Sequence, residues 1–487
     1  MSAPGRFRAA DAAVVASACL AACAVRVPLA LQSLWYDEIA SYLGYGIRGT
    51  GFALTRMYTQ ANHVLQTVLS AWCVDALGPT EWAMRLPSFV AGLATIPAAW
   101  MLGNEAGGPR LGRAAAVAAA LMPIAALEAT EARGYALMAL FATLCTALFL
   151  RGLRTQRAGA WALYALCAGL GTWSHLVTVV VPVFHGLWTL VATARAPDAA
   201  ARRALRAPLA ATLAAGAASL LVVAPFAAEL LAIRREFLAL DGNEPRLAGP
   251  EGWMMLLGLC GSWTWWASLA ALPVVAAGAW ACRAQPALRR ALVLAAGGAL
   301  VALAAPLVGS WLYARFLAFL VPAVALAAGA GALAMVDRGA PGASAPTSAR
   351  TRWLAVPAAL AALAWTWSLG TLPPRQQLRE ASRAVIDGLQ RGEPAIAVGL
   401  PDPVQGWYPA LEGLELPSAP PNGRDFAPAL AASRAVRVLV LYPRAMPTGV
   451  FDALRDQGYE PERTWPGWID EGGGELRTYV RRAALPR

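Results

Sequence analysis

The sequence predicts a mainly α-helical protein that crosses a membrane many times and ends in a small α/β domain. Hydrophobic residues make up 58% of the 487 residues, and charged residues make up only 14%. The apolar residues lie in repeated runs of roughly 20, a length that spans the hydrocarbon core of a bilayer as a helix. After residue 370 the composition becomes that of a globular domain. These observations predict a membrane domain over residues 1–370 and a soluble domain over residues 371–487.

Eleven apolar segments are candidates for transmembrane helices. The third and the fifth are short for a complete crossing, so we expect them to extend into flanking residues or to lean on neighbouring helices. The segments cover residues 9–31, 82–103, 113–127, 135–150, 160–174, 176–194, 208–232, 267–282, 291–309, 316–336 and 353–370. An odd number of spans predicts that the two ends of the chain lie on opposite sides of the membrane.

The distribution of arginine predicts the orientation of these spans, because the chain contains no lysine. The N-terminal tail and alternate loops hold 17 arginines and four acids, whereas the opposite loops hold eight arginines and eleven acids. Cytoplasmic loops are enriched in positive charge, so we expect the N-terminus inside and the C-terminal domain outside the cytoplasm. The arginine-rich loops also explain the net charge of +11. We therefore exclude nucleic acid as a partner.

The first outer loop, residues 32–81, is too polar to cross the membrane and too apolar to be a loose connection. Its second half, residues 61–75, places apolar side chains at a helical period, at Val64, Leu65, Val68, Ala71 and Trp72. This pattern is typical of a helix that lies in the membrane interface. We therefore expect an interfacial helix in this loop.

The C-terminal region shows the alternation of strands and helices that is typical of a small α/β domain. Strand-like runs cover residues 395–398, 436–441 and 476–480, and a helix-like stretch covers residues 449–457. The region has no cysteine pair and no phosphate-binding glycine motif. The sequence therefore predicts its fold and says nothing about its task.

Two adjacent carboxylates, Asp37 and Glu38, follow the first span directly. Acids at a membrane boundary are costly, so they indicate a function. We expect Asp37 to be functional, whereas Glu38 could equally orient the loop or pair with an arginine. Further polar residues follow on the same predicted side of the membrane, namely Asn62-His63, then Arg85-Leu86-Pro87-Ser88 with Gly92 and Ile96-Pro97, then Glu131-Ala132-Arg133-Gly134-Tyr135-Ala136-Leu137.

In this order and spacing, these residues resemble the membrane glycosyltransferases of the GT-C superfamily, especially the bacterial relatives of protein O-mannosyltransferases and aminoarabinose transferases. The resemblance covers residues 30–150 and extends weakly to Arg315-Phe316. It implies inverting transfer of a sugar from a polyprenyl-phosphate carrier to a glycan, lipid or protein acceptor. It also implies that Asp37 is the catalytic base, and that the enzyme lies in a bacterial inner membrane with its active site outside the cytoplasm.

The residue types support this chemistry independently. Inverting transfer needs one carboxylate to take the proton of the attacking acceptor, and it needs cations to hold the departing phosphate. We expect Arg133, Arg315 and His63 in the second role, and Tyr135 and His175 as further donor or substrate contacts. Glu131 is a second catalytic-loop acid or the ion-pair partner of Arg133, and Glu128 is the alternative for the same role. For Arg85 we expect anchoring at the interface.

We expect no cofactor and no resident metal, because a lipid monophosphate leaves as a stable anion and does not demand a divalent ion. The adjacent acids Asp37 and Glu38 could still recruit Mg²⁺ or Mn²⁺.

The main alternative function is a transporter or flippase of a lipid-linked substrate, because intramembrane charges also mark transport routes. The sequence shows no internal repeat of the kind common in transporters, and this favours the enzyme.

Overall fold

The computed structural model describes residues 6–59, 62–239, 265–304, 314–337, 356–370, 374–400, 402–467 and 474–481. In these ranges the chain is helical up to residue 370 and then combines helices with a five-stranded sheet. The predicted fold class, a mainly helical membrane protein with a small C-terminal α/β region, is confirmed.

Eighteen α-helices precede the sheet within the described ranges. Those up to residue 128 are α1 (Ala9–Ala30), α2 (Tyr36–Gly44), α3 (Thr50–Thr55), α4 (Val64–Leu77), α5 (Glu81–Gly107), α6 (Pro109–Leu121) and α7 (Pro123–Glu128). Those up to residue 239 are α8 (Tyr135–Thr155), α9 (Ala158–Ser174), α10 (Val180–Ala194), α11 (Ala199–Ala204), α12 (Arg206–Val223) and α13 (Ala227–Ala239). The remainder are α14 (Trp265–Ala281), α15 (Pro286–Ala296), α16 (Gly298–Ala302), α17 (Val321–Asp337) and α18 (Val356–Gly370).

Seven helical segments among the described residues are long and apolar enough to cross a membrane. They are Ala9–Ala30, Glu81–Gly107, Tyr135–Thr155, Leu176–Ala194, Ala199–Ile233, Ala267–Ala284 and Arg315–Val336. The other four predicted segments are helical where they are described, but each helix is too short or is interrupted. These segments correspond to α6 with α7, to α9, to α15 with α16, and to α18. The count of eleven crossings therefore stays a prediction.

The third predicted span is interrupted because Pro123 begins a new helix. Proline has no backbone N–H, so the carbonyl of Ala119, four residues earlier, has no helical donor. The buried side chain of Arg26 takes this place, and its Nη2 donates to the carbonyls of Ala119 and Ala120 at 3.4 Å each. Arg26 in α1 therefore caps the C-terminal end of α6.

Two glycines let α14 and α17 approach closely. A Cβ atom on Gly278 would collide with the carbonyl of Ala327, and one on Gly331 would collide with the carbonyl of Val274. Small residues at such crossings are common between membrane helices, where close van der Waals packing supplies much of the association energy. The core of the membrane helices accordingly contains many alanines beside the larger apolar side chains.

The chain divides into two compact units. The first contains Met1–Ala30, Gly49–Gly78 and Ala83–Thr371. The second contains Leu31–Arg48, Pro79–Trp82 and Leu372–Arg487. The division drawn from the sequence at residue 370 put residues 31–48 with the membrane helices, whereas in the structure they pack with the C-terminal residues.

The second unit is built on a mixed sheet in the order β2-β1-β3-β5-β4. The strands are β1 (Ala395–Val398), β2 (Ser418–Ala419), β3 (Arg437–Leu441), β4 (Tyr459–Trp465) and β5 (Leu476–Arg481). β1 pairs in parallel with β2 and β3, and β5 pairs antiparallel with β3 and β4. Besides α2, the α-helices described in this unit are α19 (Leu378–Gln390), α20 (Asp402–Gln405), α21 (Trp407–Leu411), α22 (Gly423–Ser433) and α23 (Thr448–Asp456).

The three strands and the helix predicted for this region correspond to β1, β3, β5 and α23. The edge strand β4 was not predicted, because its middle is polar and contains Pro461. Charged residues and proline are common on edge strands, where they block pairing with other chains. Such a strand lacks the alternation by which sequence reasoning finds strands.

Candidate active site

The two adjacent acids have different surroundings at the start of α2. Trp35 is the residue before the helix, and its backbone N–H donates to Glu38 Oε2 at 3.0 Å. Glu38 is only 1% exposed, so its carboxylate belongs to the helix cap. Asp37 is partly exposed in the first helical turn, where the helix dipole favours a negative charge. This contact is of the kind that an orienting role for Glu38 requires, and pairing with an arginine stays the alternative.

The backbone around Asp37 is held by side chains from the C-terminal residues of the same unit. The N–H of Leu34 donates to the Tyr408 hydroxyl at 2.9 Å, and the N–H of Tyr36 donates to Gln376 Oε1 at 3.0 Å. These contacts hold the chain on the N-terminal side of Asp37. Sequence reasoning missed Gln376 and Tyr408, because they lie more than 300 residues from Asp37 and belong to no motif.

In the first unit, His63 is the centre of a buried polar cluster. It precedes α4, the helix predicted for residues 61–75, and its Nδ1 accepts the N–H of Gly134 at 2.6 Å. Nε2 lies 3.2 Å from Nη2 of Arg133. A neutral imidazole accepts at one nitrogen and donates at the other, so an Nδ1 that accepts leaves the proton on Nε2. His63 Nε2–H and the Arg133 guanidinium are then neighbouring donors, an arrangement that suits a shared anionic acceptor.

Three more rings complete this cluster. His63 contacts Tyr135 and His175 with ring centroids 4.9 and 4.8 Å apart, and the rings of Tyr135 and His175 are 5.1 Å apart. Phe316 contacts His175 at 4.8 Å. Four predicted site residues, His63, Arg133, Tyr135 and His175, are therefore brought together. Phe316 places the short helix Ala314–Leu320, which includes Arg315, beside them.

Both cluster histidines are neutral at physiological pH. Burial lowers the pKa of His63 well below 6.5, and the charge of Arg133 lowers it further, followed by His175 and Arg315. Burial, then Arg133 and Arg315, lower the pKa of His175 to about 3. We expected His63 to be one of the cations that hold a phosphate, but the structure favours a neutral donor. The positive charge of this cluster comes from arginine.

The loop that carries Arg133 is supported by α5 and by glycine contacts. Ser88 Oγ donates to the carbonyl of Arg133 at 3.0 Å. A Cβ atom on Gly92 would collide with Ala129, and one on Gly134 would collide with the carbonyl of Ser174 and lie 2.9 Å from His63 Nδ1. The glycines of the sequence pattern are therefore required by close approach of the backbone.

The remaining predicted site residues lie close to this loop. Glu128 and Glu131 are both buried, with 1% and 4% exposure. Arg85 is buried and its Nη1 donates to the carbonyl of Ala30 at 3.1 Å, and its anchoring role at the membrane interface stays a prediction. Among the described residues there is no group of three or more His, Cys, Asp and Glu side chains that could hold a metal ion.

The chain is similar to known proteins in fold and, over part of its length, in sequence pattern. Residues 67–228 match the family model described as dolichyl-phosphate-mannose-protein mannosyltransferase. The crystal structure of ArnT from Cupriavidus metallidurans in the apo state is similar, with a TM-score of 0.58 and 15% identity over 98% of this chain and 99% of that one. The same protein bound to undecaprenyl phosphate gives a TM-score of 0.56, also at 15% identity and with the same coverage.

The oligosaccharyltransferase AglB from Archaeoglobus fulgidus, solved in complex with an inhibitory peptide and a dolichol-phosphate, has a TM-score of 0.52. The identity is 12% over 98% of this chain and 75% of AglB. Curated protein sequences include no match to the chain. At these identities the structural likeness shows the fold, and the family model adds the sequence pattern of residues 67–228. The chain therefore has the fold seen in ArnT and AglB, together with the mannosyltransferase family pattern in residues 67–228.

Proposed function

We propose that the protein transfers a sugar from a polyprenyl-phosphate carrier to an acceptor outside the cytoplasm, with inversion at the sugar carbon and with Asp37 as the general base. The observation that supports this proposal is the different burial of the two adjacent acids. Glu38 is buried and closes the helix cap, whereas Asp37 is partly exposed at the positive end of α2. A base must be reachable by its substrate, so Asp37 is the acid suited to the task.

In the proposed reaction, an oxygen of the acceptor attacks the anomeric carbon while its proton passes to the Asp37 carboxylate. The bond between the anomeric carbon and the phosphate oxygen breaks, and its electron pair stays on the lipid phosphate. The Arg133 guanidinium and the Nε2–H of His63 are suited to bind the phosphate oxygens as their charge grows. Arg315 supports the same role, because its charge acts on both cluster histidines.

The orientation and location are part of the same proposal. The arginine-rich loops favour a cytoplasmic N-terminus, with Asp37 and the C-terminal unit outside, in the inner membrane of a bacterium. Reporter fusions at residue 37 test this, and a cytoplasmic signal there would refute the proposed topology.

We further propose that no metal is needed, because the leaving group is a monophosphate whose charge the arginines can balance. Transfer should therefore continue unchanged in EDTA. A loss of transfer in EDTA that one divalent ion restores would contradict this part of the proposal and would direct attention to Asp37 and Glu38 as ligands.

The function is tested by comparing envelope glycans, lipids and proteins from cells with and without the gene by mass spectrometry. The purified enzyme in proteoliposomes is then given undecaprenyl phosphate linked to mannose or to aminoarabinose, with the envelope fraction that changes as acceptor. The expected result is transfer of the sugar and release of undecaprenyl phosphate. Movement of the intact donor across the bilayer without transfer would instead support a flippase.

A further inference from the structure

The segment that carries Asp37 is held in place by hydrogen bonds from the C-terminal residues. Three successive backbone N–H groups lead into α2, at Leu34, Trp35 and Tyr36, and each donates to a side-chain oxygen. The first N–H groups of a helix have no partner within the helix, so they need acceptors from elsewhere. Glu38 supplies one acceptor locally, and Tyr408 and Gln376 supply the other two.

Gln376 binds the backbone directly before Asp37. It is completely buried, and its Oε1 accepts the N–H of the residue directly before Asp37. This contact determines the orientation of the amide, because the flipped form would set an N–H against the N–H of Tyr36. The neighbouring Arg375 lies over the ring of Trp35 at 4.9 Å. Two consecutive residues of the C-terminal part therefore contact two consecutive residues of the Asp37 segment.

Tyr408 belongs to a second set of bonds at the start of the segment. Its hydroxyl accepts the N–H of Leu34 and donates to Glu81 Oε1 at 3.1 Å. Glu81 Oε1 also accepts from Arg379 Nη1 at 2.8 Å, and the backbone N–H of Arg379 donates to Ser33 Oγ at 2.9 Å. Because both Leu34 and Tyr408 are buried, removing the hydroxyl would leave the Leu34 N–H without an acceptor.

We propose that the C-terminal unit positions the catalytic base, with Gln376 and Tyr408 as positioning residues that act through the backbone before Asp37. The proposal rests on the proposed function of Asp37, and it gives the C-terminal residues a task that their sequence does not reveal. Small displacements of a reacting group are expensive: an error of about 1 Å can cost on the order of 100-fold in rate. Two hydrogen bonds from residues distant in sequence therefore contribute to catalysis by holding the base in position.

The test uses Gln376→Met and Tyr408→Phe in the full-length enzyme, with undecaprenyl-phosphate-mannose as donor. Each change keeps most of the side-chain volume and removes the oxygen that holds the segment. We expect kcat to fall about 10- to 100-fold while KM for the donor stays within about twofold, because the base is misplaced and donor binding is not. The control is Gln457→Met, which removes a 2.9 Å bond to the carbonyl of Ala427 in the same unit. It should retain full kcat.

A third variant separates positioning from general stability. Gln376→Glu keeps an oxygen for the Tyr36 N–H and adds a negative charge one residue from Asp37. A nearby like charge raises the pKa of a carboxyl group, so the acidic limb of the kcat profile should move to higher pH while kcat on the plateau recovers towards that of the wild type. The shift tests whether residue 376 lies close enough to act on the base, and recovery of the plateau kcat relative to Gln376→Met tests whether the oxygen at this position holds it.

The outcomes are distinct. If Asp37→Asn is inactive but Gln376→Met and Tyr408→Phe match the Gln457→Met control in kcat, the positioning proposal is wrong and the proposed function stands. If Asp37→Asn keeps full activity, the proposed function itself is wrong. If Gln376→Met and Tyr408→Phe fail to fold, the Gln376→Glu variant provides the test. An unshifted acidic limb in its kcat profile would contradict the proposal.

Discussion

The segment around Asp37 and the cluster around His63 are held in place by different means. Asp37 lies in a segment whose backbone N–H groups are bound by side chains more than 300 residues away in sequence. The His63 cluster instead consists of neutral rings and one guanidinium packed against a backbone that approaches closely at Gly134. The position of the Asp37 segment depends on a few hydrogen bonds, whereas the arrangement of the His63 cluster depends on close packing of its side chains against the backbone. The two regions should therefore respond differently to mutation.

The largest expected effect is that of Asp37→Asn. The amide keeps the shape of the side chain but cannot accept the acceptor's proton at neutral pH, so kcat should fall by about 10²- to 10⁴-fold. Glu38→Gln keeps an oxygen for the Trp35 N–H and should lose less than about tenfold. Turnover of undecaprenyl-phosphate-mannose by the two purified variants provides the measurement. Equal losses would remove the distinction between the two acids.

Within the cluster, Arg133→Gln should have the next largest effect. Loss of a charged donor to a developing anion typically costs about 10²- to 10³-fold in kcat. Arg154→Gln is the matched control, because it also removes an arginine charge, one that pairs with Glu105 at 2.7 Å and belongs to no part of the proposed site. It should leave turnover unchanged. Wild-type turnover in Arg133→Gln would exclude a role in phosphate binding.

Gly134→Ala tests whether the cluster depends on shape. The new methyl group would collide with the carbonyl of Ser174 and press on His63, so we expect a loss of about 1–3 kcal/mol in unfolding free energy. Gly159→Ala is the comparison, because a Cβ atom there contacts nothing and alanine favours the helix by about 1 kcal/mol. Thermal unfolding in detergent measures both. A Gly134→Ala protein as stable as the wild type would show that the backbone can separate here without cost.

The smallest expected effect is on the pH dependence of stability. His63 and His175 have pKa values below 6.5 in the folded protein, so the unfolded chain binds more protons below that pH. The contribution of the two neutral histidines to the free energy of unfolding is complete above pH 6.5. It is lost as pH falls towards the folded pKa values, by about 1 kcal/mol per histidine between pH 6.5 and 5.5. Unfolding temperatures across this range give the slope. His175→Gln should reduce it, and an unchanged slope would mean that the ring is already accessible to protons.

Much of the fold could be predicted because each prediction used a local signal. Apolar runs of membrane length, such as Ala9–Ala30 and Tyr135–Thr155, identify helices without knowledge of their partners. The buried strands β1 and β3 were equally visible, because they are short runs of apolar residues. The break at Pro123 within the third predicted span was not anticipated, although the proline itself was visible. The sequence also did not show that the side chain of Arg26 caps α6 by donating hydrogen bonds to its last carbonyls.

The candidate site was predicted in part for the same reason. His63, Arg133 and Tyr135 belong to short patterns, and the structure places them together with His175. The sequence did not indicate that the pKa of His63 would be lowered, because that pKa depends on burial and on arginines distant in sequence. Nor did it decide the role of Glu38, because that role depends on the groups that surround its carboxylate.

The sequence by itself predicted a helical membrane protein, most of its apolar helices, three of the five strands of the C-terminal sheet and the acid on which the proposed chemistry depends. These follow from composition and from short-range periodicity, which are properties of neighbouring residues. Only the tertiary structure decided that the segment carrying Asp37 packs with residues 372–487, and that Gln376 and Tyr408 hold its backbone. Those contacts join residues far apart in the chain, and such a pairing leaves no local pattern in a single sequence.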